Sequence, residues 1–502
     1  MHGKRQTAWN VIVSFFSQII ILLLGFIVPR IIISNYGSDT NGLISTINQI
    51  FVYMALLEAG ISQAARNALY KPVRDNNHIQ ISYWISVARS YYRKITVVYL
   101  AVVIALSFVT PFLLKTEVVK STVILYSVFE GLTNVVSFYF INTWACFLHV
   151  SGKTYIINAI NVFTTITCYI VKILLSLNNV NIAAIQIGYF LVSLIKLLIY
   201  YIYMKKHYPW IEYSKVNKDS KLPDRNAYIV TEIAWTVFSS TDMIVLSAFV
   251  STALSSVYSV YNMVFLAINN LLNAVYSSVN YRLGHAYAED INTYSNVHSL
   301  FHSVFMSLIT IMMCVAYLLC IPFISFYTNG VNDIDYIYNT LPIMFCLVQL
   351  LSWSRYIAGN LSGLAGYAKP TSYISIIEAA INIICSVILV NYYGIIGVLF
   401  ATVIALPLKV LYLNYIAEIH IMRRSPVKTI LTILINYSIF GLTIFINRYL
   451  HFNISSLISF VFWGFVLSFV FSLIIFSANI LVNRDLINLI PTKRIRALFR
   501  KV

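Results

Sequence analysis

The sequence predicts an all-α polytopic membrane protein of about fourteen transmembrane helices, arranged as two six-helix lobes plus two extra C-terminal helices. Three observations predict it. Hydrophobic residues fill 59% of the 502 positions and charged residues only 10%, against about 25% charge in a soluble domain. Mean hydropathy is +0.79. Apolar runs of about 20 residues, the length that crosses a bilayer at 1.5 Å rise each, recur along the whole chain.

Taken in order, the runs lie near 8–34, 41–62, 95–114, 121–148, 154–176, 181–203, 228–249, 254–279, 297–327, 337–362, 371–393, 395–416, 429–447 and 455–481. Short polar turns such as Leu177-Asn178-Asn179 and Asn391-Tyr392-Tyr393-Gly394 join several of them. The first run follows Lys4-Arg5, as a signal peptide would. It is too long for a signal h-region and lacks a small-residue cleavage site, so it reads as a retained helix. The six cysteines sit inside apolar runs without ligand spacing, which points to packing residues rather than a disulfide framework or a zinc site.

The net charge of +17 would suit nucleic acid, but its distribution argues for membrane topology instead. With the N-terminus inside, 26 of the 34 basic residues fall in inside loops and tails, and only Lys115, Lys120 and Arg448 in outside turns. That asymmetry predicts an even number of spans with both termini cytoplasmic. The expected organisation is an N-terminal lobe at 1–204, a cytoplasmic linker at 205–227, a second lobe at 228–417, two helices within 428–482 and a basic tail at 483–502. Residues 41–50 (NGLISTINQI) and 255–264 (SSVYSVYNMV) align at an offset of 214, sharing Ser45/Ser259 and Asn48/Asn262. This pairs the second span with the eighth, as two parallel repeats require. The basic segment 63–94 reads either as an interfacial amphipathic helix or as a solvated loop. The tail reads as a surface helix on anionic lipid.

The stretches GFIVPRIIISNYGSDTNGL, LLEAGISQAARNALYKP and SYYRK, within residues 22–94, resemble the opening of the bacterial polysaccharide flippases of the Wzx type. These belong to the same superfamily as the MATE exporters and lipid II flippases. The resemblance implies a flippase that moves an undecaprenyl-pyrophosphate-linked oligosaccharide across the plasma (cell inner) membrane by alternating access. Its product would feed O-antigen, capsule or exopolysaccharide synthesis. It implies membrane lipids and that oligosaccharide as partners, a complex with a polysaccharide polymerase or glycosyltransferase as a further option, a monomer, no cofactor and no nucleic acid.

Polar stripes mark candidate cavity walls. At 100° per residue, Ser255, Ser259, Asn262, Asn269, Asn273 and Ser277 share one face of the eighth span. Asn10, Ser14, Ser17 and Gln18 do so on the first, Asn41, Ser45, Asn48 and Gln49 on the second, and Thr231, Trp235, Ser239 and Asp242 on the seventh. A water-filled groove is one reading and helix–helix hydrogen bonding the other. Candidate substrate residues are Arg30, Arg355, Asn48, Asn262, Asn269 and Asn273. Arg355 suits bidentate phosphate binding, although its long stem also permits snorkelling. Arg30 turns inward only if Pro29 kinks its helix, and is otherwise an outer-interface anchor. Glu130 and Glu378 are expected to pair with a lysine on a neighbouring helix. Asp242 lies too deep to reach water, so it reads as half of a structural pair or as a proton or sodium coupling site.

No P-loop, HExxH or nucleophile elbow is present in the sequence, which points away from an enzyme. Two other classes stay open. A MATE-like cation exporter would favour acid over base in the cavity. A membrane-embedded glycosyltransferase or polymerase would need a large outer loop, and the expected outer loops are roughly ten residues or fewer.

Overall fold

The computed structural model describes residues 2–54, 58, 61–213, 241–449, 454, 456–484 and 486. Every regular element among them is a helix. The chain divides into two compact units, Met1–Ser259 and Val260–Val502.

In the first unit, α1 (His2–Met54) consists of two helical arms meeting at Gly37. Its φ of 83° and ψ of 169° lie where only glycine is unstrained, so the turn expected between the first and second runs contracts to one residue. The helical dihedrals continue through Pro29, and the break falls at Gly37, eight residues after the proline whose kink would turn Arg30 inward. Segment 63–94 is helical throughout its length except for a short turn. It comprises most of α2 (Ile61–Arg74) and the start of α3 (His78–Leu113). The turn between them holds Asn76 at φ 49° and ends with Asn77 capping the Gln80 amide at 3.0 Å. Asparagine tolerates both roles because its short amide replaces a missing backbone partner. At 36 residues, α3 is about 54 Å long, well beyond the ~30 Å hydrocarbon core.

The first unit continues with α4 (Lys120–Val136), a π turn (Ser137–Ile141), α5 (Asn142–Val150), α6 (Thr154–Leu177) and α7 (Ile182–His207). Residues 241–249 are helical, and α8 (Thr252–Glu289) runs from the first unit into the second. Leu43, Ile47, Tyr99, Val103, Val123 and Tyr126 form one apolar core, and Ile85, Trp144, Phe147, Leu148 and Tyr200 belong to another.

The second unit holds α9 (Ile291–Tyr327), α10 (Leu341–Trp353), α11 (Tyr356–Leu364), α12 (Ala368–Tyr415), a π turn (Ile416–Ile421), α13 (Val427–Asn447) and α14 (Leu457–Val482). The two arms of α12 meet at Gly394, with φ 52° and ψ −129°, where the sequence predicts a turn. The C-terminal pair is joined by Asn436 and Asn479, which exchange amide hydrogen bonds of 2.9 and 3.3 Å. Leu467 of α14 packs on Leu318 and Leu319 of α9. Phe462, Phe465, Phe469 and Leu473 of α14 stay exposed on one face, as a lipid-facing helix requires.

Nine helices among the described residues are long and apolar enough to cross a membrane, and the longest, Lys369–Ile421, is divided at Gly394. The chain is a multi-pass membrane protein. Most of the expected seventh span, much of the expected linker and nearly all of the basic tail lie outside the described residues.

Candidate functional site

In the first unit, the second arm of α1 meets residues 241–259 along a seam of small and hydroxyl side chains. A Cβ on Gly42 would stand 1.6 Å from the Thr252 carbonyl oxygen, so the two backbones touch there. Asn41 Nδ2 donates to Ser256 Oγ at 2.8 Å, and Ser45 Oγ to Ser259 Oγ at 3.2 Å. The Thr46 and Ser247 hydroxyls lie 2.5 Å apart, as do those of Ser247 and Ser255. Ser45 and Ser259 are the residues aligned by the 214-residue offset.

One end of the seam is closed by Asp39. Its carboxylate accepts from Thr116 Oγ1 at 2.7 Å, from the Glu117 amide at 2.9 Å, and from Thr252 Oγ1. The Lys115 amide donates to Ser247 O at 3.0 Å and the Thr252 amide to Lys115 O at 3.1 Å. Towards the other end, Tyr53 bonds Thr241, and Asp242 Oδ2 accepts from Tyr258 Oη at 3.1 Å. Asp242 is buried. Most of these bonds join neutral groups, each worth about 0.5–1.5 kcal/mol net.

In the second unit, the helical run 341–364 is interrupted at Ser354-Arg355. The freed Ser354 carbonyl accepts from Asn414 Nδ2 at 3.2 Å, and the Ser354 hydroxyl lies 3.3 Å from Tyr437 Oη. Arg355 is buried at this break and donates to Glu378 Oε1. Lys409 Nζ is 3.3 Å from Glu378 Oε2. One carboxylate is therefore shared by two cations. Beside the break, Trp353 stacks on Tyr356 with centroids 4.2 Å apart, and Tyr276 meets both rings edge-on. Trp353 Nε1 donates to Asn269 Oδ1 at 2.7 Å. Broken helices at membrane depth expose backbone groups to a ligand or cavity, and transporters use them in this way.

The expected site residues divide between the units. Arg30, Asn48 and Asp242 belong to the first; Arg355, Asn262, Asn269 and Asn273 belong to the second. Arg30 and Asn262 are half-buried, and Asn48 and Asn273 exposed. Asn269 and Arg355 are brought together through Trp353 and the helix break. Glu378 pairs with Lys409 as expected, and Glu130 accepts from Gln186 Nε2 at 2.5 Å and interacts with the Lys172 charge. Lys172 lies 4.4 Å over the Tyr189 ring. The face Thr231, Trp235 and Ser239, and the side chains of Asn10, Ser14, Ser17, Gln18 and Ser277, lie outside the described residues.

Sequence reasoning missed two features. The aromatic wall of Tyr276, Trp353 and Tyr356 carries no periodic signal, because its members come from different helices. The other is a buried clasp around Glu418. Arg424 grips it with Nε at 2.5 Å and Nη2 at 2.9 Å, Thr429 Oγ1 donates to it at 2.5 Å, and His298 lies alongside, 3.1 Å from Arg424 Nη2. Arg424 had read only as a topology charge.

No protein-family model matches the sequence, and no curated protein does. Solved structures do match its fold. A multidrug resistance MATE family transporter in an inward-facing conformation superposes with a TM-score of 0.66, over 86% of this chain and 98% of that one, at 11% identity. Lipid II flippase MurJ, in an inward closed conformation, gives 0.64 over 93% and 98% at 16% identity. This chain shares the fold of those two proteins. A further transporter of this fold, from Pyrococcus furiosus and described as having a binding pocket of reverse polarity, gives 0.53 over 84% and 97% at 14% identity. At these identities the likeness is one of fold.

Proposed function

We propose that this chain is a flippase for undecaprenyl-pyrophosphate-linked oligosaccharide, working by alternating access in the plasma membrane to supply surface polysaccharide synthesis. The observation that carries this reading is the charge balance at the break in helix 341–364. There Arg355 and Lys409 share the single carboxylate of Glu378. A site selected for organic cations needs an excess of carboxylate, whereas two cations to one carboxylate favour an anion such as pyrophosphate. The adjacent aromatic and amide groups, Trp353, Tyr356, Tyr276 and Asn269, suit the apolar faces and hydroxyls of sugar rings. The MOP fold is common to a MATE transporter and to a lipid II flippase, so the fold supports both transport readings and the charge balance favours the flippase.

The test is reconstitution into proteoliposomes with a fluorescent undecaprenyl-pyrophosphate oligosaccharide in one leaflet and an impermeant sugar-modifying enzyme outside. Translocation should require the protein and fall with Arg355→Lys, which keeps charge but loses the planar fork. Export of ethidium without any movement of the lipid-linked sugar would replace this reading with that of a cation exporter.

A further inference from the structure

A cavity of about 490 Å³ opens on the first unit between α3, the π turn after α4 and the C-terminal end of α7. It is distinct from the seam and from the helix break. Its lining is largely apolar and aromatic, including Trp144, Leu198 and Tyr201, and also holds Arg89 and Lys205. None of the described residues that line it is acidic. The Arg89 guanidinium lies 3.8 Å over the Tyr213 ring, and Trp144 Nε1 donates to Tyr213 Oη at 2.7 Å. Trp144 thus fixes the ring, and the ring holds the guanidinium beside the cavity by cation–π attraction. A guanidinium carries five N–H donors in a fork that matches a phosphate.

The surroundings specify where such a phosphate would come from. Leu198 and Tyr201 are 57% and 49% exposed on α7, a membrane-spanning helix that ends in Lys205-Lys206-His207. Two further cations sit over aromatic rings nearby, Arg93 over Tyr139 and Lys153 over Tyr208, and Lys205 itself lies over Tyr201. An apolar wall continuous with a lipid-facing helix, topped by cations on aromatic rings, matches a molecule with an acyl chain below and a negative group above. We propose that this cavity binds an anionic phospholipid of the bilayer, its phosphate held by Arg89 and Lys205 and its acyl chain laid along Leu198 and Tyr201. This site is independent of what the protein transports.

Trp144 supplies the readout. Purified full-length protein is reconstituted with brominated-acyl phosphatidylglycerol or brominated-acyl phosphatidylcholine, and the Trp144 contribution is isolated by difference from Trp144→Phe. Phosphatidylglycerol should quench that contribution at a several-fold lower mole fraction than phosphatidylcholine. Neutralising one cation should cost about fivefold in that preference, and Arg89→Gln with Lys205→Gln should erase it. Equal quenching by the two lipids in the wild type would overturn the proposal without recourse to any variant. An undiminished preference in the double variant, or in the exposed single variant Lys205→Gln, would also overturn it. Relief of the quenching by millimolar inorganic phosphate would assign a soluble anion in place of a lipid.

Discussion

Glu378 and Asp242 are both buried carboxylates, yet their surroundings give them different expected roles. Glu378 holds two cations, so removing it leaves like charges side by side in a dry place, whereas removing Lys409 leaves a balanced Arg355–Glu378 pair. Breaking a buried ion pair from the side of the shared partner costs about 3–5 kcal/mol. Glu378→Gln should therefore lower the abundance and melting temperature of detergent-purified protein far more than Lys409→Met. Equal losses would mean that the cluster does not act as a charge-balanced unit. Asp242 accepts a hydrogen bond from Tyr258, and an asparagine amide oxygen can still accept it. As a coupling site, Asp242→Asn should keep near-normal abundance and lose the dependence of transport on a proton or sodium gradient. Retained gradient dependence in vesicles would remove Asp242 from coupling.

Among the elements, the seam between the second arm of α1 and residues 241–259 depends on one missing side chain. The atom that would oppose a Cβ at Gly42 is the Thr252 carbonyl oxygen, a backbone atom that cannot rotate away. Gly42→Ala should separate the helices and strain the Asn41–Ser256 and Ser45–Ser259 bonds, at a cost of about 1–3 kcal/mol, read as a lower melting temperature. Gly441 in α13 has open space where its Cβ would be, so Gly441→Ala is the matched control and should be neutral or slightly stabilising. If the two variants melt alike, backbone contact at the seam is not what holds these elements together. The helices themselves were legible beforehand, since apolar runs of spanning length announce them. The seam was half legible, because the 214-residue offset pairs Ser45 with Ser259 yet does not say that the pair touches.

For the whole molecule, the distribution of basic residues makes a prediction independent of any side-chain contact. Reporter fusions at Lys218 and at the C-terminus should both report the cytoplasm, and one at Asp333, in the turn after α9, the outside. Opposite results at the first two sites would break the two-lobe arrangement. Composition, run length and charge asymmetry suffice for class and expected topology, because lipid forces each spanning segment to satisfy its own backbone and keeps most charges in the loops. The turns at Gly37 and Gly394 could also be read, since glycine alone tolerates their backbone angles. The sequence alone also proposed that Arg355 and the Asn269 stripe were special. It did not tell that Arg355 lies at a helix break sharing Glu378 with Lys409, that Trp353 reaches Asn269, or that Arg424 and Glu418 clasp each other beneath His298. Those pairings join residues from different helices, and hydrophobic periodicity fixes which face of a helix is polar without fixing which neighbour that face meets. Only the tertiary structure decided them, because the partner of a buried charge is chosen by the three-dimensional packing that removes it from lipid and water alike.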